Sequence, residues 1–183
     1  MKIAIDYLDG SLTSEDLDEI KTILESEEIE LLIHCQEPQN IDGIDDMFPN
    51  ILLFMNQDIL QAFILGLATN GLYDVIKKTI LSVHTKLSSK KINRIQNRKI
   101  EQVTPKVNLR IGKANMILPM NLPKDRFEYC IDKFFESVKE ENMEYFTTEN
   151  IATFDAESRL IKYFSQHEYI RTYAENKISS KKG

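Results

Sequence analysis

Residues 2–35, KIAIDYLDGSLTSEDLDEIKTILESEEIELLIHC, predict the first unit of the fold. Residues 2–8 and 29–35 are short apolar runs of strand length. Between them, apolar residues recur at helical spacing: Leu17, Ile20 and Leu24. Thr13 or Ser11 can cap this helix, because both are short polar side chains just ahead of it. A strand, a helix and a strand of these lengths predict a right-handed βαβ unit with parallel strands.

The composition is typical of a folded globular chain, with 183 residues of which 42% are hydrophobic and 28% charged. We predict a single domain over 1–141 and a C-terminal appendage over 142–183, a hairpin plus a helix with a frayed end. The N-terminus turns acidic too soon for a signal peptide, so a cytoplasmic location is the expectation. Cys35 and Cys130 lie in apolar segments, and we expect both to be reduced and buried.

The charges are strongly segregated although the formal net charge is only −6. Residues 1–60 carry 15 acidic and 2 basic groups, whereas residues 61–115 carry 2 acidic and 11 basic groups. The stretch 77–99, KKTILSVHTKLSSKKINRIQNRK, has eight Lys and Arg and no Asp or Glu. Three explanations are open: pairing with the acidic block within the chain, pairing between copies, or binding of an external anion such as nucleic acid or an acidic protein.

An unusually apolar segment lies in the middle of the chain, where Asp58 is the only charged residue of 47–73. We predict one helix over 57–87, because apolar residues follow a 7-4-7-4 spacing on one side: Leu65, Leu72, Ile76, Val83 and Leu87. In its first half the opposite side is apolar too, which predicts burial or an oligomer or partner interface formed by Leu60, Phe63, Ile64 and Leu67. A membrane span is disfavoured, because the run between Asp58 and Asp74 is shorter than the ~20 residues that a span needs.

The remaining segments complete an α+β prediction. Residues 106–111 and 114–120 predict a β-hairpin with a type II′ turn at Gly112, and 125–141 an amphipathic helix. Residues 150–164 predict a hairpin in preference to a helix, because Ser165 and Glu168 form a capping box that starts a new helix. We therefore expect a small mixed sheet covered by helices, in a β-α-β-α-β-β-α order close to a ferredoxin-like arrangement.

The basic residues beyond position 89 are the candidate site for nucleic acid or another anion, because Lys and Arg neutralise phosphates. Those proposed for this role are Lys90, Lys91, Arg94, Arg98, Lys99, Lys106, Arg110 and Lys113. The segment lacks an aromatic stacking platform and has no helix-turn-helix or RRM signature. A solvated or internally paired basic face is therefore the favoured interpretation.

No catalytic, metal or cofactor motif is evident in the sequence. His34 and Cys35 are adjacent in a strand and point to opposite faces, so they cannot act together as base and nucleophile. The acidic loop with Asp42, Asp45 and Asp46 does not have the ligand spacing of a calcium loop. Carboxylates at predicted strand ends, Asp6, Asp9 and Glu37, leave an enzyme of unrecognised type, such as a carboxylate- or metal-dependent hydrolase, as one hypothesis.

The sequence thus favours a non-enzymatic interaction module, a small cytoplasmic subunit or adaptor whose partner is another protein or a second copy. Nucleic-acid binding through 77–113 is the second hypothesis and an unrecognised enzyme the third.

Overall fold

The computed structural model describes residues 1–36, 50–65, 70–88, 90–96 and 99–179, and the side chains of all of these except 70, 92–101 and 176–179. Nine strands lie in the described residues: β1 (Lys2–Leu8), β2 (Glu30–Gln36), β3 (Ile51–Met55), β4 (Ile92–Gln96), β5 (Lys99–Val103), β6 (Val107–Ile111), β7 (Ala114–Leu118), β8 (Asn150–Asp155) and β9 (Leu160–Ser165). They also contain six α-helices: α1 (Ser14–Glu25), α2 (Gln57–Ile64), α3 (Asn70–Leu87), α4 (Lys124–Glu136), α5 (Met143–Thr147) and α6 (Gln166–Ser179).

The parallel βαβ unit predicted at the N-terminus is confirmed. β1 and β2 pair in parallel over their full length. Thr13 caps α1: the Asp16 N–H donates to Thr13 Oγ1 at 3.2 Å, and the Thr13 N–H donates to Asp16 Oδ2 at 3.0 Å. This capping box satisfies two backbone donors that the first turn of a helix otherwise leaves free.

The main sheet has seven strands in the order β2-β1-β3-β6-β7-β8-β9. Its pairings alternate along that order between parallel and antiparallel, beginning with the parallel pair β2–β1. The predicted α+β class with a mixed sheet is confirmed, whereas a ferredoxin-like strand order is not.

Two features of the sheets were missed by the sequence analysis. β3 pairs with both β1 and β6 inside the main sheet, although no strand was predicted at 51–55. Periodicity cannot separate such a short buried strand from a buried helical segment. β4 and β5 form a separate two-stranded antiparallel sheet that was not predicted.

The single helix predicted over 57–87 is wrong. α2 ends at Ile64 and Leu65 is its C-cap, with φ −78° and ψ 0°. The 7-4-7-4 spacing identified the buried side of α3 correctly but carried no information on where the backbone turns. Four of the five residues with that spacing are buried: Leu72, Ile76, Val83 and Leu87.

The predicted hairpins are confirmed. Gly112, at φ +57°, is the first turn residue between β6 and β7. β8 and β9 form the predicted C-terminal hairpin, and β8 pairs with β7, so this hairpin extends the main sheet. The Ser165 and Glu168 capping box starts α6 as expected, with the Ser165 N–H donating to Glu168 Oε2 at 2.9 Å.

α4 is shorter than predicted. It ends at Glu136 with Ser137 as its C-cap, and a 3₁₀ turn (Glu140–Asn142) and α5 follow. The Ser137 hydroxyl donates to Phe134 O at 2.6 Å, and Asn142 Nδ2 donates to Ser137 O at 2.9 Å. These bonds replace the next turn of the helix.

One face of the sheet and the helices share a single core. Alternate residues of β1, β3, β6 and β7 are buried together with the inner sides of α1, α2, α3 and α4. The largest fully buried aromatic side chains are Phe127, Phe134 and Phe146.

Candidate interaction surface

β2 forms one edge of the main sheet, and among the described residues it pairs only with β1. Six of its seven residues are exposed, and Leu31 is half-buried. Leu32 is 44% exposed and Ile33 is 48% exposed, although they lie on opposite faces of the strand. β2 therefore shows apolar side chains on both faces at an open edge.

The hydrogen bonds to β1 show which backbone groups of β2 face outward. The Glu30 N–H donates to Met1 O at 3.0 Å, and Gln36 O accepts from the Asp9 N–H at 3.0 Å. In a parallel ladder the N–H and C=O of one residue point to the same side, and alternate residues point to opposite sides. The outward residues of β2 are therefore Leu31, Ile33 and Cys35.

Within residues 1–36, 50–65, 70–88, 90–96 and 99–179, β2 shows none of the features that commonly block a sheet edge. Exposed edges are usually protected by lysine, proline, a bulge or a covering segment. Between Glu30 and Gln36 there is no Lys, Pro or Gly, and the pairing with β1 is continuous over all seven residues. β9, at the other edge, carries Lys162 and is followed by α6, which contacts it.

Cys35 is exposed, so the prediction that it is buried is wrong, whereas Cys130 is buried as predicted. The reason is the position of β2: an apolar segment predicts burial only when other elements flank the strand. His34 is exposed, and its Nδ1 lies 3.7 Å from Asp6 Oδ1. This pair lies at an open strand edge and not in a cleft.

The sheet face opposite the core continues the apolar surface of β2. The strand register places Leu32, Ala4 and Phe54 side by side on this face. It also carries Leu52 and Ile117, and these apolar residues other than Leu32 are half-buried. An antiparallel sheet with one wet face normally alternates apolar and polar residues. The same face also carries the polar residues Asp6, Asn108, Arg110 and Asn115, so its apolar residues are interspersed with polar ones.

The structure places most of the residues of the central apolar segment that were predicted to be buried or to form an interface, and the interface itself stays a prediction. Leu60 is fully buried in the core and offers no side-chain surface to a partner. Phe63 and Ile64 are half-buried and pack against the core, and Leu67 lies outside the described residues. Among the described residues of this region, Leu65 is a large apolar side chain with 66% of its surface exposed. Sequence periodicity missed the β2 edge because exposure at an edge depends on strand order.

The first lysines of the basic segment pair with the protein's own carboxylates. Lys77 Nζ lies 2.9 Å from Glu128 Oε1 and 2.7 Å from Asp132 Oδ1, which joins α3 to α4. Lys86 Nζ lies 3.0 Å from Asp16 Oδ1, which joins α3 to α1. These contacts leave less free positive charge than the sequence suggests.

Among the described residues, the proposed anion-binding side chains do not form one continuous basic strip. Lys90 bonds to Asp16 Oδ2 at 3.2 Å, Lys91 to Thr104 Oγ1 at 2.8 Å, and Arg110 Nε to Gly112 O at 3.4 Å. Lys106 lies just before β6 and Lys113 in the β6–β7 turn. Arg98 lies outside the described residues, as do the side chains of Arg94 and Lys99. Nucleic-acid binding through 77–113 stays a prediction.

Asp16 is the most strongly held carboxylate of this network. Burial opposes its ionisation, but hydrogen bonds from the Thr13 N–H, Lys86 and Lys90 outweigh burial and hold the pKa of Asp16 well below its ordinary value of 3.8. The ionised carboxylate thus belongs to the folded structure of the α1–α3 contact.

A shallow cleft of about 430 Å³ lies between the end of α3 and the start of α4. His84 lines it, stacks on Phe127 with ring centroids 4.0 Å apart, and has Nε2 3.2 Å from Leu122 O. Burial lowers the pKa of His84, while the Leu122 carbonyl acts in the opposite direction. His84 is 4% exposed and stacks on a buried ring, and among the described residues no hydrogen-bond partner lies at its Nδ1.

A second cleft, of about 410 Å³, lies where α2, α3 and α4 meet. Its polar side is an ion-pair cluster in which the Tyr73 hydroxyl donates to Asp132, and Asp132 also binds Lys77. Burial first, and then the hydrogen bond to Asp132, raise the pKa of Tyr73 far above its ordinary value. A phenol held protonated in this way is a structural donor and not a nucleophile.

Within the described part of the chain, no group of three or more His, Cys, Asp or Glu side chains is placed to hold a metal ion. None of the described helices has the length and apolarity needed to cross a membrane. No protein-family model matches the sequence, and neither the curated proteins nor the solved structures contain a significant match.

Proposed function

We propose that this protein is a non-enzymatic interaction module, a cytoplasmic subunit or adaptor, and that it binds a protein partner by accepting a strand at the outer edge of β2. The observation that supports this function is the edge of β2, on which the described residues place no blocking feature. Three successive outward residues, Leu31, Ile33 and Cys35, offer their N–H and C=O groups in a regular strand without a lysine, proline or bulge.

The energetics of strand addition suit this surface. Each main-chain hydrogen bond to an added strand contributes a net of about 0.5–1.5 kcal/mol, because it replaces bonds to water. The side chains of Leu32 and Ile33 are each about half exposed. Removing this apolar area from water stabilises the complex by roughly 25 cal/mol per Å². The main chain thus supplies affinity and the alternating side chains supply specificity.

A photo-crosslinking experiment in the source cells tests this function. A benzophenone amino acid is placed at position 33 in one variant and at position 160 in another. Both positions are exposed apolar sites on edge strands, since Leu160 is 60% exposed on β9. We expect a specific cross-linked protein from position 33 that is absent from position 160, with the cross-linked peptides mapping to β2.

The same experiment gives the contrary outcome directly. If position 33 cross-links nothing above the level of position 160, β2 is not a docking edge and the proposed function fails. Far-UV circular dichroism on both purified variants confirms that they are folded.

A further inference from the structure

We propose that the strand accepted by β2 is β2 of a second copy, running antiparallel across a two-fold axis that passes through Ile33. This inference rests on the proposed function and names the partner. Closed two-fold dimers are the commonest homo-oligomers, and their interface must be complementary to itself. A strand edge meets this condition when its outward groups are arranged symmetrically about one residue.

β2 meets that condition about Ile33. With Ile33 opposite Ile33 of the second copy, Leu31 of each copy lies opposite Cys35 of the other. The outward residues then face one another as hydrogen-bonded pairs, so each of their N–H and C=O groups has a partner. The pairing with β1 fixes which groups point outward, so outward residues of one copy must lie opposite outward residues of the other. An axis through any other residue of β2 would leave at least one of the three outward residues opposite a position outside the strand, so the axis through Ile33 pairs the most of them.

The charges of β2 fit this register. Glu30, the only acidic residue of the strand, lies opposite the uncharged Gln36 of the second copy. Its carboxylate is already paired with Lys2 Nζ at 2.9 Å. His34 lies opposite Leu32 of the second copy, so no two like charges of β2 face each other. Like charges directly opposite would destabilise a strand pair.

The apolar side chains fit it as well. The two copies of Ile33 meet at the axis, on the face that continues from Ile5. Leu32 lies on the other face, next to Ala4 and Phe54. Joining two copies at β2 places these half-buried apolar surfaces side by side. The dimer thereby buries the two exposed side chains in the centre of β2 and continues the sheet from one copy into the next.

Disulfide trapping tests the register in the full-length protein. Cys35→Ser removes the exposed native thiol, and Cys130 is buried. In this background Ile33→Cys should form a covalent dimer under mild oxidation, because the two Cα atoms at the axis lie about 5.5 Å apart. Leu32→Cys and His34→Cys should not, because each lies about two residues along the strand from its counterpart, beyond the ~7 Å limit for a disulfide. Leu160→Cys measures random collision.

Light scattering after size exclusion measures the oligomeric state without any cross-linking. We expect a dimer whose dissociation constant rises at least about tenfold in Ile33→Lys, since two ammonium groups would meet at the axis. Leu160→Lys should behave as wild type, and circular dichroism checks that both variants fold.

The outcomes separate this inference from the proposed function. A monomer at all concentrations, with Ile33→Cys no more cross-linked than Leu160→Cys, overturns the dimer. If position 33 then still photo-cross-links to another protein, the docking edge stands and its partner is different. If position 33 cross-links nothing, the dimer and the docking edge fail together.

Discussion

Lys86 on α3 lies between two carboxylates of α1, with its Nζ 3.0 Å from Asp16 Oδ1 and 2.7 Å from Glu19 Oε2. Lys90 reaches the same helix, at 3.2 Å from Asp16 Oδ2. These contacts join the basic middle block to the acidic first block within one chain. Internal pairing therefore accounts for part of the charge segregation seen in the sequence.

Asp16→Ala should lower the free energy of unfolding by roughly 1–2 kcal/mol, because it removes both the capping-box acceptor and a partly buried ion-pair partner. Urea denaturation measures this value. Glu15→Ala is the matched control, since Glu15 is an exposed acid in the same first turn. Equal losses in the two variants would show that the α1–α3 network adds no stability.

The stability that Asp16 supplies should disappear in acid. Its pKa is lower in the folded protein than its ordinary value of 3.8, so the folded state binds fewer protons than the unfolded state in acid. The stabilisation is therefore complete above about pH 5 and is lost as the pH falls through 4 and below. Urea denaturation of wild type and Asp16→Asn should give a difference that shrinks between pH 6 and pH 3. A constant difference across this range would contradict the assignment.

Gly112→Ala should destabilise the protein considerably more than Gly10→Ala. Both glycines have positive φ, +57° and +79°, so both variants have the strain of a left-handed backbone, about 1 kcal/mol. A Cβ at Gly112 would also lie 2.6 Å from Phe146 O, whereas a Cβ at Gly10 would meet nothing within 4 Å. We expect the difference between the variants to exceed about 1 kcal/mol in thermal or urea unfolding. Equal effects would mean that the β6–β7 turn and α5 move apart easily.

Tyr73→Phe should lower the free energy of unfolding by roughly 1–2 kcal/mol, because Asp132 loses the hydroxyl donor of a partly buried ion-pair cluster. Tyr129→Phe on α4 is the control, since Tyr129 is exposed, and its effect should be near zero. The measurement is again urea denaturation at neutral pH. A Tyr73→Phe variant as stable as wild type would show that Lys77 alone holds Asp132.

The two cysteines should differ sharply in reactivity towards a thiol reagent such as Ellman's reagent. Cys35 is exposed on β2, whereas burial raises the pKa of the Cys130 thiol to about 12. At a protein concentration at which the monomer prevails, so that pairing at β2 does not cover Cys35, the native protein should give one fast-reacting thiol and the denatured protein two. Cys35→Ser should abolish the fast reaction, and Cys130→Ala should leave it intact. A second fast thiol in native protein would mean that the α4 core opens readily.

Local signals in the sequence determined much of the first and last thirds of the fold. The capping residues Thr13 and Ser165 and the turn residue Gly112 each specify a nearby hydrogen bond or dihedral angle. Such signals act within a few residues, so they can be recognised without knowing what packs around them. The α+β class and the parallel β1–β2 pair followed from these elements.

Tertiary structure alone decided the placement of β3, the break after α2 and the exposure of β2. ILLFM becomes a strand because β1 and β6 lie on either side to pair with it. IELLIHC has the same apolar character, yet its strand lies at the sheet edge, where among the described residues it pairs only with β1, so Cys35 is exposed. Apolar sequence states what a segment gains from burial, whereas strand order, set by contacts distant in sequence, decides which segment is buried by its own chain.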